Sequence, residues 1–181
     1  MIKKWHKIKS EIVFNHRWFK LRQDTVLMPD GKVIDDYIVS ERPDVVLIFP
    51  ITSENEVVMV EQYKHAAEEI LLEFPGGFFD SEKESPQMAA QRELLEETGY
   101  TFEHLTAIAT VIDNPTKDCN RTYLFIAYNC KKIQQQILDE TENIAVKIIP
   151  LEAIEEKILK QDIKATLSVA LGLMALKKIK S

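Results

Sequence analysis

The amino-acid sequence predicts an α/β fold, in which a mixed β-sheet is sandwiched between helices and a small antiparallel β unit precedes it. Strand-like and helix-like segments interleave along the chain without a regular βαβ alternation. Continuous apolar runs at residues 45–51 and 57–60 are typical of strands covered on both faces. The chain has 181 residues, 45% of them hydrophobic, which is enough for one substantial core and a small appendage.

The N-terminal β unit is predicted at residues 1–42 and the main domain at residues 43–181. Three short β-rich segments lie in the N-terminal unit, at 11–14, 19–27 and 33–39. The turn Met28-Pro29-Asp30-Gly31 separates the last two, because proline fixes one backbone dihedral and glycine supplies a positive φ. We therefore expect a β-hairpin or a three-stranded sheet here.

The main domain continues with further strands and with helices. The other strand-like segments are 69–74, 105–112, 122–128 and 144–149. The helix-like segments are 85–98, 151–160 and 163–178. The last of these carries Ala, Leu, Val and Met at helical spacing, which indicates packing in a core or a dimer rather than a binding site.

Composition excludes several classes of protein. A formal net charge of −6 leaves no basic field to hold a nucleic-acid backbone, so no nucleic-acid partner is expected. The sequence contains neither a signal-peptide pattern nor a run near the roughly 20 apolar residues of a membrane span, which predicts a cytoplasmic protein without a membrane partner. Cys119, Cys130 and the four scattered histidines have neither zinc-site nor disulfide spacing.

The helix at residues 85–98 has well-marked ends. Ser85 is suited to the N-cap, Pro86 to the first helical position and Gly99 to the residue after the last turn. At about 100° per residue, the helix carries Glu93, Glu96 and Glu97 within an arc of roughly 100°. Three carboxylates are therefore expected on one face.

An acidic helix face has a simple alternative explanation, because Glu is a good helix former and solvated acidic faces are common. The preceding glycines favour a functional interpretation. Gly76 and Gly77 follow a strand-like run, where a tight turn would leave backbone carbonyls free to approach a ligand. Backbone oxygens facing three carboxylates form a hard-oxygen site of the kind that Mg²⁺ prefers.

The stretch from Gly77 to Tyr100 resembles the Nudix box, G-x5-E-x7-R-E-U-x-E-E-x-G-U, in which U is a bulky apolar residue. From Glu84 onward, including RELLEETGY at 92–100, every defined position matches, with Tyr100 taken as the final U. Six residues rather than five separate Gly77 from Glu84, an insertion that a surface turn tolerates while the helix keeps its register.

The resemblance extends in front of the box. The segments VVMVEQYK at 57–64 and LLEFPGG at 71–77 are similar to the lead-in of ADP-ribose and nucleoside-diphosphate-sugar pyrophosphatases. That subgroup has a small N-terminal β unit, commonly exchanged across a homodimer. The resemblance thus implies a homodimeric Nudix hydrolase with a small-molecule nucleotide-sugar substrate, cleaved at its diphosphate link to a nucleoside monophosphate and a sugar phosphate.

The match to the box also implies a metal site for Mg²⁺, with Mn²⁺ as the alternative, since hard oxygen ligands accept both. By position, Glu93 and Glu97 would be the principal ligands, Glu96 an additional ligand and the Gly76 carbonyl a backbone ligand. Glu97 is thereby also assigned to catalysis. Arg92 is expected to pair with a nearby carboxylate and orient it.

The general base in this subgroup commonly comes from a loop before a late strand. The matching segment, 138–143, makes Glu140 the first choice and Glu142 the second. The alternative is that both are exposed loop carboxylates that serve solubility, since an acidic loop needs no catalytic explanation. Lys64 stands where the subgroup often has Arg, and either contacts the substrate or is a surface lysine. Residues 113–117 are expected to form a loop at a strand end, in the region where the subgroup places substrate contacts.

Two other functions stay open. One is a Nudix enzyme that cleaves nucleoside triphosphates or dinucleotides, against which the long N-terminal unit argues. The other is a non-catalytic sensor of nucleotide sugars. Such a sensor would usually have lost metal ligands, whereas Glu93, Glu96 and Glu97 are all present.

Overall fold

The computed structural model describes residues 1–17 and 19–181, which form eleven β-strands and three α-helices. The strands are His6–His16 (β1), Phe19–Leu27 (β2), Val33–Glu41 (β3), Asp44–Thr52 (β4), Glu56–Lys64 (β5), Glu69–Glu73 (β6), Gly76–Phe79 (β7), Tyr100–Thr101 (β8), His104–Val111 (β9), Thr122–Lys132 (β10) and Ile144–Pro150 (β11). The helices are Pro86–Thr98 (α1), Ile154–Leu159 (α2) and Thr166–Ile179 (α3). No helix in the described part of the chain is long and apolar enough to cross a membrane.

The chain forms two compact units. The first comprises Met1–Pro43 and Ile112–Arg121, and the second comprises Asp44–Val111 and Thr122–Ser181. Within the first unit, the backbone N–H of Ser40 in β3 donates a hydrogen bond of 2.7 Å to the carbonyl of Lys117. The segment that contains the predicted loop 113–117 is therefore bound to the N-terminal strands.

The first unit is built on a three-stranded antiparallel sheet in the order β1-β2-β3, which confirms the predicted N-terminal β unit. The turn between β2 and β3 is closed by the N–H of Met28, which donates to the Lys32 carbonyl at 2.8 Å. Gly31 takes the predicted positive φ, at 89°. Strand β1 is longer than the predicted segment 11–14, because its residues are all exposed and leave no apolar pattern to mark its ends.

A buried carboxylate joins the three strands of this sheet. Asp24 in β2 is 4% exposed and accepts hydrogen bonds from Ser10 in β1 and from Nε of Arg22. The same guanidinium donates to Glu41 in β3 at 3.0 Å. Burial alone would raise the pKa of Asp24, but the hydrogen bonds from Ser10 and Arg22 outweigh it and leave that pKa lowered.

The second unit contains an eight-stranded mixed sheet. Its central order is β11-β5-β4-β10-β8, with β6 on β5, β7 on β4 and β9 on β10. Strands β4 and β10 are parallel, and the other pairs are antiparallel. This confirms the predicted mixed sheet.

Alternate residues of the central strands enter two separate cores. On β4, Val46 and Ile48 pack on the face covered by α1, with Leu94 in the same core. Phe49 points to the opposite face, where Leu171 of α3 lies in the core. Because helices cover both faces, the second unit is the α/β/α sandwich that the sequence predicts.

One local expectation was wrong, and two predicted helices have different bounds. Gly76 and Gly77 do not form an open loop but begin β7, where they pair with Leu47 and Val46 of β4. The final helix begins at Thr166, because Ala165 is extended with ψ at 126°. The helix expected at 151–160 is a 3-10 turn, Leu151–Ala153, followed by α2.

Candidate active site

Helix α1 begins and ends as its sequence predicts. The Ser85 hydroxyl accepts a hydrogen bond of 3.3 Å from the N–H of Met88, and Pro86 occupies the first helical position. Gly99 takes φ 76° after the last turn, and its N–H donates to the Leu95 carbonyl at 2.8 Å. These caps fix the register of the acidic face.

Two of the three carboxylates on that face are buried. Glu93 is 8% exposed and Glu97 5% exposed, whereas Glu96 is partly exposed. Oε2 of Glu97 accepts a hydrogen bond of 2.9 Å from the N–H of Gly76. A β-carbon on Gly77 would come within 2.6 Å of the Glu93 carboxylate, so glycine is needed there to make room for that side chain.

Burial changes the acidity of both carboxyl groups. It raises the pKa of Glu93 to about 7, although the charge and hydrogen bond of Arg92 act in the opposite direction. Burial also raises the pKa of Glu97 to about 8, partly offset by the Gly76 N–H. Nearby positive charge therefore compensates their ionised forms only in part, and a divalent cation would supply the rest.

Arg92 connects the carboxylates of this region. Its guanidinium donates to Glu84 at 2.7 Å, to Glu93 at 2.8 Å and to Glu96 at 3.0 Å. Glu84 thus reaches the helix despite the additional residue in the preceding turn. The planar, five-donor guanidinium suits such multiple pairing, whereas a lysine ammonium is a point charge.

The donor set fits a hard divalent cation. Glu93 and Glu97 provide buried carboxylate oxygens, the ligand type that Mg²⁺ and Mn²⁺ take. Among residues 1–17 and 19–181, no three His, Cys, Asp or Glu side chains are already gathered as a metal cage. The carboxylates are instead held by Arg92 and by the Gly76 N–H.

Lys64 lies at the end of β5, beside a residue that the sequence reasoning missed. Its Nζ is 3.4 Å from Oε2 of Glu73 in β6, and Nε2 of Gln62 is also 3.4 Å from that oxygen. The positive charge of Lys64 acts to lower the pKa of Glu97. A signal for Glu73 was available, since a lone carboxylate stands between apolar residues in LLEFPGG.

The two candidates for the general base lie on the loop between β10 and β11, and both are exposed. Oε2 of Glu142 accepts a hydrogen bond of 3.0 Å from the N–H of Asp139. The negative charge of Glu142 acts to raise the pKa of Glu93 and of Glu97. This electrostatic influence on the two helix carboxyl groups favours Glu142, although the sequence made Glu140 the first choice.

Comparison with known proteins identifies the family to which the chain is similar. Residues 41–168 match the model of the NUDIX domain, and residues 5–40 match that of the nucleoside diphosphate sugar hydrolase N-terminal domain. The chain is 32% identical over 146 residues to the ADP-ribose pyrophosphatase of Bacillus subtilis (strain 168), covering 80% of this chain and 78% of that protein. It is 36% identical over 136 residues to the methanol dehydrogenase activator of Bacillus methanolicus, covering 75% of this chain and 72% of that protein.

A solved structure has the same fold. The crystal structure of an ADP compounds hydrolase superposes with a TM-score of 0.85 at 22% sequence identity, covering 99% of this chain and 96% of that chain.

Proposed function

This chain belongs to the NUDIX family and is a Nudix hydrolase, and we propose that it hydrolyses the diphosphate link of ADP-ribose or a related nucleoside diphosphate sugar in a metal-dependent reaction. The products would be a nucleoside monophosphate and a sugar phosphate. The observation that carries the proposal is the pair of buried carboxylates, Glu93 and Glu97, on the helix of the Nudix box. The match of residues 5–40 to a nucleoside diphosphate sugar hydrolase domain supports the substrate class.

Nudix hydrolases generally need a divalent metal, and we propose Mg²⁺, with Mn²⁺ as the alternative. Glu93 and Glu97 would hold it, with Glu96 as an additional ligand and the Gly76 carbonyl as a backbone ligand. When bound, the cation neutralises the diphosphate and acts as a Lewis acid on its oxygens. Glu97 is kept in place by the hydrogen bond from the Gly76 N–H.

The side chains around α1 would perform the remaining tasks. A water oxygen attacks one phosphorus, its proton passes to the carboxylate of Glu142 or Glu140, and the bond from that phosphorus to the bridging oxygen breaks. The ammonium of Lys64, held beside Glu73, would contact a diphosphate oxygen.

The test is release of AMP or another monophosphate from ADP-ribose, ADP-glucose, GDP-mannose, NADH and diadenosine polyphosphates, with Mg²⁺ or with EDTA. Wild type, Glu97→Gln and the exposed control Glu156→Gln are compared. We expect turnover of ADP-ribose or a sugar nucleotide that EDTA and Glu97→Gln abolish and Glu156→Gln leaves unchanged. Turnover confined to dinucleoside polyphosphates or nucleoside triphosphates would favour the first alternative, and tight binding without turnover would favour the sensor.

We also propose a cytoplasmic homodimer. The reason for proposing the dimer is the N-terminal unit, which the pyrophosphatase subgroup that the chain resembles commonly exchanges across a homodimer. The exposed free thiol of Cys119 is consistent with a reducing compartment. Light scattering is expected to give twice the chain mass of 20.9 kDa. A monomer mass at working concentration would contradict the dimer, and a fluorescent fusion outside the cytoplasm would contradict the location.

A further inference from the structure

One glutamine side chain joins three segments around the candidate active site. Nε2 of Gln136 donates a hydrogen bond of 2.6 Å to the carbonyl of Glu97 in α1. The same nitrogen donates to the carbonyl of Ile144, the first residue of β11, at 3.1 Å. Gln136 itself lies after β10. The end of the carboxylate helix and both ends of the loop 137–143 are therefore connected through one amide group.

Backbone hydrogen bonds attach the same segment to the last turn of α1. The N–H groups of Ile133 and Ile137 donate at 2.9 Å to the carbonyls of Gly99 and Glu96, respectively. The final carbonyls of a helix have no partner within the helix and need an external donor. The chain after β10 supplies such donors, so residues 133–137 are attached to the C-terminal end of α1.

The loop closed by Gln136 carries both candidates for the general base. Glu140 and Glu142 lie between Gln136 and Ile144, and Glu142 bonds back to the N–H of Asp139. Tying the ends of a flexible segment together reduces the number of conformations that it populates. Glu140 and Glu142 are both exposed, so burial does not fix the positions of their side chains.

We propose that Gln136 is a positioning residue, which holds the loop 137–143 against α1 so that the carboxylate of Glu142 faces the substrate site. The inference rests on the proposed function for its catalytic consequence and on the hydrogen bonds of Gln136 for its structural one. Gln136 touches no reacting atom and acts through the loop.

The first experiment compares Gln136→Met, which keeps the length of the side chain and removes its donor, with Gln135→Met. The two hydrogen bonds from Gln136 to the carbonyls of Glu97 and Ile144 form a clamp. Gln135 is exposed, is next in sequence and lies outside this clamp, so it is a matched control. We expect Gln136→Met to lower kcat by about tenfold or more with KM changed by less than about twofold, because misplacing a catalytic group affects the chemical step. Unchanged kcat, or a fall matched by Gln135→Met, would overturn the proposal.

A double-mutant cycle identifies the route of the effect. If Gln136 acts through Glu142, then Gln136→Met should lower kcat little further in the Glu142→Gln background, because the positioned group is already lost. A loss of the same factor in both backgrounds would show that Gln136 does not act by positioning Glu142. The cycle with Glu140→Gln makes the same test for the other candidate.

Hydrogen exchange tests the clamp without any turnover. We expect Gln136→Met to speed amide exchange across residues 137–143 while β4 and β5 keep their protection, and Gln135→Met to change neither. Unaltered exchange in the loop would refute the clamp even in an active enzyme. A wild-type protein that cleaves no nucleotide sugar would refute the proposed function, while faster loop exchange in Gln136→Met would still establish the clamp.

Discussion

Gly77 lies so close to Glu93 that a β-carbon at position 77 would come within 2.6 Å of the carboxylate carbon. We therefore expect Gly77→Ala to push the Glu93 side chain away and to lower kcat/KM by about tenfold or more at limiting Mg²⁺. Titration of the activity with Mg²⁺ checks this, with a higher Mg²⁺ requirement expected for the variant.

Gly31→Ala is the control for that substitution. A β-carbon on Gly31 meets no atom within 4 Å, although its φ of 89° makes alanine strained. We expect a loss of about 1 kcal/mol of stability and an unchanged Mg²⁺ requirement. Equal Mg²⁺ titrations for the two variants would contradict the role of Gly77 as a cradle for Glu93.

The stability of the metal-free protein should fall as the pH rises. Burial raises the folded-state pKa from 4.5 to about 7 for Glu93 and to about 8 for Glu97. A raised carboxyl pKa contributes stability that is fully present below about pH 4.5 and lost as the pH rises through about 7 and 8. We expect the Tm in EDTA to decrease across this window and saturating Mg²⁺ to remove most of the decrease, since the cation binds the ionised groups.

The double variant Glu93→Gln/Glu97→Gln is the control for the pH dependence. It lacks both raised pKa values, so its Tm in EDTA should vary less with pH over the same window. Mg²⁺ should also stabilise it less than wild type. A wild-type Tm that rises steadily from pH 5 to 8.5 in EDTA would be incompatible with the buried carboxyl groups.

Glu84 is expected to act through Arg92. Glu84→Gln weakens the pairing at 2.7 Å, and because the Arg92 side chain is 37% exposed the loss of stability should be about 1 kcal/mol or less. The released guanidinium would shift toward Glu93 and Glu96, so the Mg²⁺ requirement should rise. Denaturant unfolding and Mg²⁺ titration measure both effects, and Glu82→Gln, at an exposed position in the same turn, should change neither.

Substitution should distinguish the two loop glutamates by the size of its effect on kcat. If Glu142 is the base, Glu142→Gln should lower kcat by about 10² to 10⁴ and flatten the acidic limb of the pH profile of kcat. Glu140→Gln has the same chemistry on the same loop and should retain most of the activity. The reverse result would return the role to Glu140, the first choice from the sequence.

The stability of the N-terminal sheet should depend on the buried carboxylate of Asp24. Asp24→Asn removes the charge that pairs with Arg22, and we expect a loss of about 1 to 3 kcal/mol in the free energy of unfolding. The pKa of Asp24 is lowered in the fold, so its contribution is present above its ordinary value of 3.8 and is lost as the pH falls through the lower folded value. Acid unfolding followed by circular dichroism tests this, with exposed Asp36→Asn as the control.

Much of this architecture was predictable, because local sequence patterns indicate it. The apolar run at 45–51 gave β4, and the caps Ser85 and Gly99 gave the ends of α1 with its acidic face. Strand β7 was missed because two adjacent glycines favour a turn by local rules, whereas here Gly76 is required where the backbone of β4 approaches. Pairing with the distant strand β4 makes this segment a strand, and the local sequence contains no signal for that pairing.

The residues that support the site were harder to find than those at its centre. Gln136 is the last of three consecutive glutamines, and neither its type nor its spacing distinguishes it from Gln134 or Gln135. Only its position in the fold brings its amide to two carbonyls. Glutamate at helical spacing has a recognisable pattern, whereas a single hydrogen-bonding side chain in a connecting segment has none.

The parallel pairing of β4 with β10 has a consequence for how the chain folds during its synthesis. These neighbours in the sheet lie far apart in sequence, at Asp44–Thr52 and Thr122–Lys132. The hairpins of β1, β2 and β3 are local and can close early, whereas β4 waits for β10 to emerge from the ribosome. Until then α1 has no completed surface to pack on, so nascent chains stopped before β10 should expose apolar residues and recruit chaperones.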